Sequence, residues 1–248
     1  MAARWDEIRL AVMLLTRLPM GRLSDPAPPL RAAAWAYPVA GAIAALPAAL
    51  VFWAASGLPP LMAALLALAA GALATGGLHE DGLTDVADGF GGGATRDRKL
   101  EIMKDSRIGS YGALALILTV GLRVTGLAAA PDAITGMAAL VGLGAASRAG
   151  LPWIMRSLPT ARPGGLGASA GGVSGKATAV ALGLGVLGLL ITGHMLSLAV
   201  AMALAGFGFV LLCRRQIGGY TGDTLGATQQ ITEIAAWIVL AALWTQQA

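Results

Sequence analysis

ATAVALGLGVLGLLITGHMLSLAVAMALAGFGFVLLC, residues 177–213, contains no Asp, Glu, Lys or Arg. A run of this length holds two stretches of roughly 20 apolar residues, each sufficient to cross a bilayer as a helix, with Gly193-His194 as the break between them. Working outward, five further windows of similar character lie at about 33–55, 60–78, 111–130, 133–154 and 230–245, and the quoted run divides into 177–193 and 195–213. The whole 248-residue chain is 56% hydrophobic and 12% charged, with a mean hydropathy of +0.73. Those values exclude a water-soluble globule and a disordered chain, and the lone Cys213 excludes a disulfide scaffold. Because backbone polar groups cannot face lipid unpaired and no alternating barrel pattern is present, the windows read as helices. The expected fold is all-α: one polytopic helical bundle over residues 1–248, with about seven transmembrane helices. Glycines such as Gly183, Gly185, Gly188, Gly206 and Gly208 suit close helix packing, and an oligomer stays open.

The connections fix an orientation, because short cytoplasmic loops carry the Lys and Arg excess. With the N-terminus cytoplasmic, one side receives Arg4, Arg9, Arg17, Arg22 and Arg31, then Arg96, Arg98, Lys99, Lys104 and Arg107, then Arg156, Arg162, Lys176, Arg214 and Arg215. The other side receives 56–59, 131–132, 193–194 and the tail after Thr245, with no basic residue. Of the 17 Lys and Arg, only Arg123 and Arg148 fall inside spans. The net charge of +4 is therefore a sign of topology and not of a nucleic-acid partner. No cleavable signal peptide is expected, since Arg4, Asp6, Glu7 and Arg9 interrupt the start. Residues 1–32 read as an interfacial arm, with Leu10, Met13 and Leu14 on one side of an amphipathic stretch from Trp5 to Met20.

Seven of the 13 carboxylates fall between Glu80 and Asp105, in the one long polar segment (79–110). Asp81, Asp85 and Asp88 stand at i, i+4 and i+7, so a helix running on from the second span presents them on one stripe. Three such carboxylates repel one another unless a cation lies between them. Hard oxygen donors suit Mg²⁺ or Mn²⁺, which hold one or two protein carboxylates while substrate phosphates and water complete the shell. That arrangement points to a diphosphate substrate. A solvated acidic helix face is the bland reading of the same residues. Asp97, Glu101 and Asp105 repeat the four-residue step on what reads as a second helix, with Lys104 and Arg107 placed to neutralise phosphate oxygens. Asp105 joins the site or pairs along its own helix.

The stretch GGLHEDGLTDVADGFGG (76–92), followed by RDRKLEIMKDSRIGSYGALAL (96–116), resembles the signature region of the cobalamin synthase, or adenosylcobinamide-GDP ribazoletransferase, family. LLTRLP (14–19) and GGYTGDTLGA (218–227) extend the resemblance. Glu80 departs from it, standing where that family more often has an apolar residue. The resemblance implies a membrane enzyme that joins adenosylcobinamide-GDP to α-ribazole, or its 5′-phosphate, and releases GMP. On that reading Asp81, Asp85 and Asp88, with Glu80, hold Mg²⁺. Lys104, Arg107, Asp105, Arg148 and Asp223 face substrate, and His79, Glu80 or a stripe aspartate takes the acceptor's proton.

Charges at membrane depth are costly and usually functional. Arg123 and Arg148 either point into a phosphate-lined cavity or, for Arg148, pair with a carboxylate. Glu233 reads as a mark of the last span's N-terminal end. His194 reads as incidental. The glycine-rich stretch 163–176 fails as a Walker A loop, because residue 170 is alanine and Ala177 follows Lys176. Two other enzyme types combine helix-borne aspartates, Mg²⁺ and a diphosphate, CDP-alcohol phosphotransferases and intramembrane prenyltransferases. Neither spacing is that of EDGLTDVADG. A cation transporter would hold its acids within the spans and not beside them.

Overall fold

A computed structural model describes residues 2–162 and 172–246. The glycine-rich stretch read as a loop lies, through residue 171, outside the described residues. α1 (Ala2–Leu15) packs on the bundle, and α2 (Leu30–Ala33) runs through a single 3₁₀ turn into α3 (Tyr37–Ala54). α4 (Pro60–Thr75), α5 (Leu78–Gly92), α6 (Arg96–Ile102), α7 (Ser110–Ala128), α8 (Ala133–Ala149) and α9 (Leu151–Ser157) follow. α10 (Gly175–Leu190), α11 (Met195–Ile217) and α12 (Gly222–Thr245) complete the chain. The fold is all-α, and each of the seven apolar windows contains a helix.

The count of seven crossings is a different matter. Among the described residues, four stretches are long and apolar enough to span a membrane: Leu30–Ala54, Ser110–Ala128, Ala133–Ser157 and Met195–Ile217. α4 reaches that standard only together with α5, from which it is bent by 90°, and α10 is shorter. α12 carries Gln229, Gln230 and Glu233 in its middle and lies inside the bundle, where Ala236, Trp237 and Leu240 are fully buried. Neighbouring helices surround most of it, leaving Ile238 half exposed.

Small residues set how closely the rods approach. A Cβ on Gly41 of α3 would sit 2.0 Å from the Gly144 carbonyl of α8, and one on Gly188 of α10 would sit 2.8 Å from the Gly142 carbonyl of α8. In lipid, where there is little hydrophobic gain on helix association, such close contact supplies much of the attraction. Gly185 also meets α8, at Ala149, whereas Gly183 and Gly208 have nothing within 4 Å.

Connections expected on one side do meet at one end. The Arg17 amide donates to the Ala74 carbonyl (2.8 Å). The Arg96 side chain donates to the carbonyls of Ile217 (2.9 Å) and Ala161 (2.7 Å). At the N-terminus the helix stops at Leu15, and its buried face is Ala11, Val12 and Leu15. The expected face was Leu10, Met13 and Leu14, yet Met13 is 43% exposed. The small Ala11 lets α1 lie against α3, and the longer Met13 is turned outward.

Candidate active site

The acidic helix does not run on from the second span. Gly76 and Gly77, at φ +68° and +69°, take the left-handed conformation that glycine adopts without strain, and the chain turns there. α5 consequently runs at 90° to α4 and packs against α7 and α12. A side chain at position 76 would strike the Arg17 guanidinium, whose Nε is 2.1 Å from an ideal Cβ. The corner therefore seats an arginine from the N-terminal segment beside the acidic helix.

α5 divides its polar residues between two places. Asp81 and Asp85 face a cavity of about 690 Å³ at the bundle end, which Thr16, Arg17, Thr84, Ser106 and Arg107 also line. The first turns of α12 pack along the same helix, from Asp223 to Gln230. Its N-terminus is closed by a capping box between Thr221 and Thr224, and a Cβ on Gly82 would lie 2.8 Å from the Asp223 carbonyl oxygen. The Asp223 carboxylate accepts from Arg162 (3.0 Å) and from the Thr221 hydroxyl (3.2 Å). Burial, then the charges of Asp81 and Asp223, push the Asp85 carboxyl up to about 7. That negative field is what a cation would relieve.

The remaining expected site residues are placed otherwise. Asp88 accepts from the backbone N–H groups of Gly109 (2.7 Å) and Gly112 (2.9 Å), so it caps α7 from a neighbouring helix. The second acidic helix, α6, ends at Ile102, leaving Asp105 beyond it. Asp105 is held at about 2 by hydrogen bonds from Arg107, 2.6 Å away, and Lys104 is exposed. Arg107 still borders the cavity, while Asp105 serves Arg107 and not the other carboxylates.

Glu80 and His79 face the opposite way, into the bundle. A second cavity of about 40 Å³ is lined by both, with Thr75, Arg123, Arg148, Gln229, Gln230 and Glu233 among its walls. Arg123 donates to Glu80 (2.7 Å) and to Gln230 (3.2 Å), and pairs with Glu233 (3.1 Å). Gln230 donates to Glu80 (3.1 Å), Gln229 to Glu233 and to Ser147 (2.9 Å), and the Trp237 indole to Glu233 (3.3 Å). Glu233 is thus the middle of α12 and not its start. Arg148 donates to the Gly144 carbonyl of its own helix (2.8 Å), and among the described residues it makes no ion pair. Neither His79 ring nitrogen has a hydrogen-bond partner among the described residues. Burial, reinforced by Arg148 and Arg123, drives that imidazole well below its ordinary range, so it is neutral.

Among the described residues, no group of three or more His, Cys, Asp or Glu side chains is gathered closely enough to hold a metal alone. Two carboxylates beside a wide cavity fit Mg²⁺ nonetheless, because that ion leaves most of its octahedron to water and phosphate oxygens. Asp81 and Asp85 are the residues in place for it, with Asp223 across from them. Arg17 and Arg162 are the functional candidates the sequence reading left among the basic loop residues. Arg17 sits within LLTRLP, which the resemblance had marked. Arg162 carries no sequence signal of its own.

Comparison with known proteins gives a consistent result. A family model described as Cobalamin-5-phosphate synthase matches residues 7–241. A Bradyrhizobium diazoefficiens protein named adenosylcobinamide-GDP ribazoletransferase is 49% identical over 243 residues, covering 95% of this chain and 93% of its own. Proteins of the same name from Mesorhizobium japonicum (47% identical, 94% and 92% covered) and Rhizobium meliloti (46% identical, 96% of each) are also similar. No solved structure matches the chain.

Proposed function

Because the chain belongs to the cobalamin-5-phosphate synthase family, and is therefore a transferase of cobalamin biosynthesis, we propose that it joins adenosylcobinamide-GDP to α-ribazole, or to its 5′-phosphate, in the cavity beside α5. The products are adenosylcobalamin, or its 5′-phosphate, and GMP. The observation that carries this reading is the opening of Asp81 and Asp85 into a 690 Å³ space whose other walls include Arg17 and Arg107. Acids able to hold a cation and guanidinium groups able to hold phosphate border one cavity.

In the reaction a sugar hydroxyl of the acceptor attacks the phosphorus on the cobinamide side. A new P–O bond forms, the bond to the bridging oxygen breaks, and GMP departs with that oxygen's electron pair. Negative charge grows on the bridging and equatorial oxygens. Arg17 and Arg107 supply fixed positive charge at the cavity rim, and a guanidinium can hold two phosphate oxygens at once. Mg²⁺ on Asp81 and Asp85 would supply diphosphate neutralisation and Lewis acidity. An acceptor hydroxyl in this cavity meets Asp81 and Asp85 as proton acceptors, whereas His79 and Glu80 face the inner cavity. The run of basic loops supports a reading in which this end of the bundle, and the N-terminus, lie on the cytoplasmic side of the cytoplasmic (inner) membrane.

The test incubates membranes containing the protein with adenosylcobinamide-GDP, α-ribazole and Mg²⁺, with and without a chelator. GMP is expected in step with a new corrinoid product, and chelation is expected to stop both. Absence of GMP from the complete mixture rejects the proposal.

A further inference from the structure

α5 has little apolar surface with which to hold its place. Its buried residues are His79, Gly82, Leu83, Thr84, Val86 and Gly89, of which only Leu83 and Val86 are large and apolar, while Asp81, Asp85 and Asp88 repel one another along its length. Yet its rotation decides whether Asp81 and Asp85 face the cavity, because neighbouring residues on a helix differ by about 100° in direction. Two charged attachments join this helix to the spans among the described residues: near its C-terminal end Asp88 accepts from the backbone at the start of α7, and near its N-terminal end the inner network holds Glu80. Glu80, 17% exposed, receives Arg123 of α7 at 2.7 Å and Gln230 of α12 at 3.1 Å. The same guanidinium continues to Glu233 of α12 at 3.1 Å, so three helices meet on one arginine.

We propose that Glu80 and Arg123 are positioning residues for the transfer: their largely buried ion pair, tied to Glu233, sets the rotation of α5 that aims Asp81 and Asp85 into the cavity. The proposal rests on the transfer reading above and gives Glu80 a role other than metal ligand. Buried pairs of this kind are poor sources of net stability, but removing one partner leaves a charge without its counter-ion and loosens what it held. Arg is suited to the place because its planar fork reaches two carboxylates together.

The test compares Glu80→Gln, Arg123→Gln and the double variant in purified full-length protein, reading turnover, Mg²⁺ dependence and amide hydrogen exchange over residues 78–92. Each single change is expected to lower kcat on the order of 100-fold, with KM for adenosylcobinamide-GDP moving less than about threefold, as misplaced catalytic groups do. The double variant is expected to fall no further than the worse single one, and exchange on α5 to accelerate in all three. Glu80→Gln leaves Arg123 paired with Glu233, and so remains folded. Should Arg123→Gln fail to insert, Arg123→Lys, which keeps the charge without the fork, replaces it with a smaller fall expected. Glu80→Gln raising the Mg²⁺ requirement while Arg123→Gln leaves kcat unchanged overturns the proposal in favour of direct ligation. Wild-type kcat and wild-type exchange in both variants overturn it also. If the unaltered protein releases no GMP, the transfer reading fails separately and exchange over 78–92 decides: faster in Glu80→Gln supports the anchor, unchanged rejects it.

Discussion

Asp85 is half-enclosed and faces like charges on two sides, with a carboxyl pushed up from 3.8 to about 7. For an acid the upward direction means that the folded chain binds the proton more tightly than the unfolded one. The contribution of this group to stability therefore falls as pH rises from about 4 to about 7, and stays at its low value above that. A divalent cation must displace the proton and then relieves the repulsion. Added Mg²⁺ is thus expected to raise the melting temperature in detergent more at pH 8 than at pH 6. In Asp85→Asn, which inserts normally, that increment and turnover are both lost, while melting without Mg²⁺ is no lower than wild type. An equal Mg²⁺ increment at both pH values, or a retained one in Asp85→Asn, removes Asp85 from the ligands. At this scale the sequence marked the acidic helix but could not sort its acids. Spacing placed Asp81, Asp85 and Asp88 on one stripe, yet the third is drawn off by the unpaired N–H groups of Gly109 and Gly112, a demand set by tertiary contact. Glu80, one residue before Asp81, points into the bundle for the same reason: its partner Arg123 is 43 positions away.

Helix–helix contact at α5 depends on the absence of a side chain at position 82, where the first turn of α12 abuts it. Gly82→Ala places a methyl 2.8 Å from the Asp223 carbonyl oxygen, and backbone cannot yield as a side-chain tip can. Overpacking of this type costs about 1–3 kcal/mol. The expected outcome is a lower melting temperature and at least about tenfold weaker turnover, from the separation of Asp223 and Arg162 from Asp85. Gly183→Ala on α10, with nothing within 4 Å, serves as the contrast and is expected to be neutral or slightly stabilising, alanine being the better helix former. Equal effects of the two changes would mean that the α5–α12 contact does not matter. The elements themselves were legible, because runs such as 177–213 admit only helix in lipid. The corner at Gly76-Gly77 was not: the two glycines were visible, but only the turn's environment, with Arg17 lodged against it, distinguishes a bend from a flexible helix. The last helix was half legible, since its apolar end was found as the window 230–245 while its polar start at Gly222 fell outside that window.

For the molecule as a whole, sidedness remains the decisive expectation. α12, at 24 residues, extends about 36 Å, enough to carry the chain from the acidic end to the far surface. Accessible tags inserted at residue 95 and attached after residue 248 are expected to report opposite membrane faces; labelling of both from one face would break the proposed arrangement. The basic residues predicted this sorting without any structure, since retention of Lys and Arg on one side leaves its mark in every loop. What they could not convey is how far apart in the chain the pieces of the pocket lie. Arg17 comes from before the first long helix and Asp81 and Asp85 from the middle, while Asp223, which backs the acidic helix at Gly82, comes from the start of the final one, whose Glu233 also completes the grip of Arg123 on Glu80. A nascent chain leaving the ribosome therefore has an unbraced acidic helix, however many segments it has already inserted, until its closing stretch joins the rest. Premature termination before Gly222 would yield a protein embedded in the bilayer yet chemically silent.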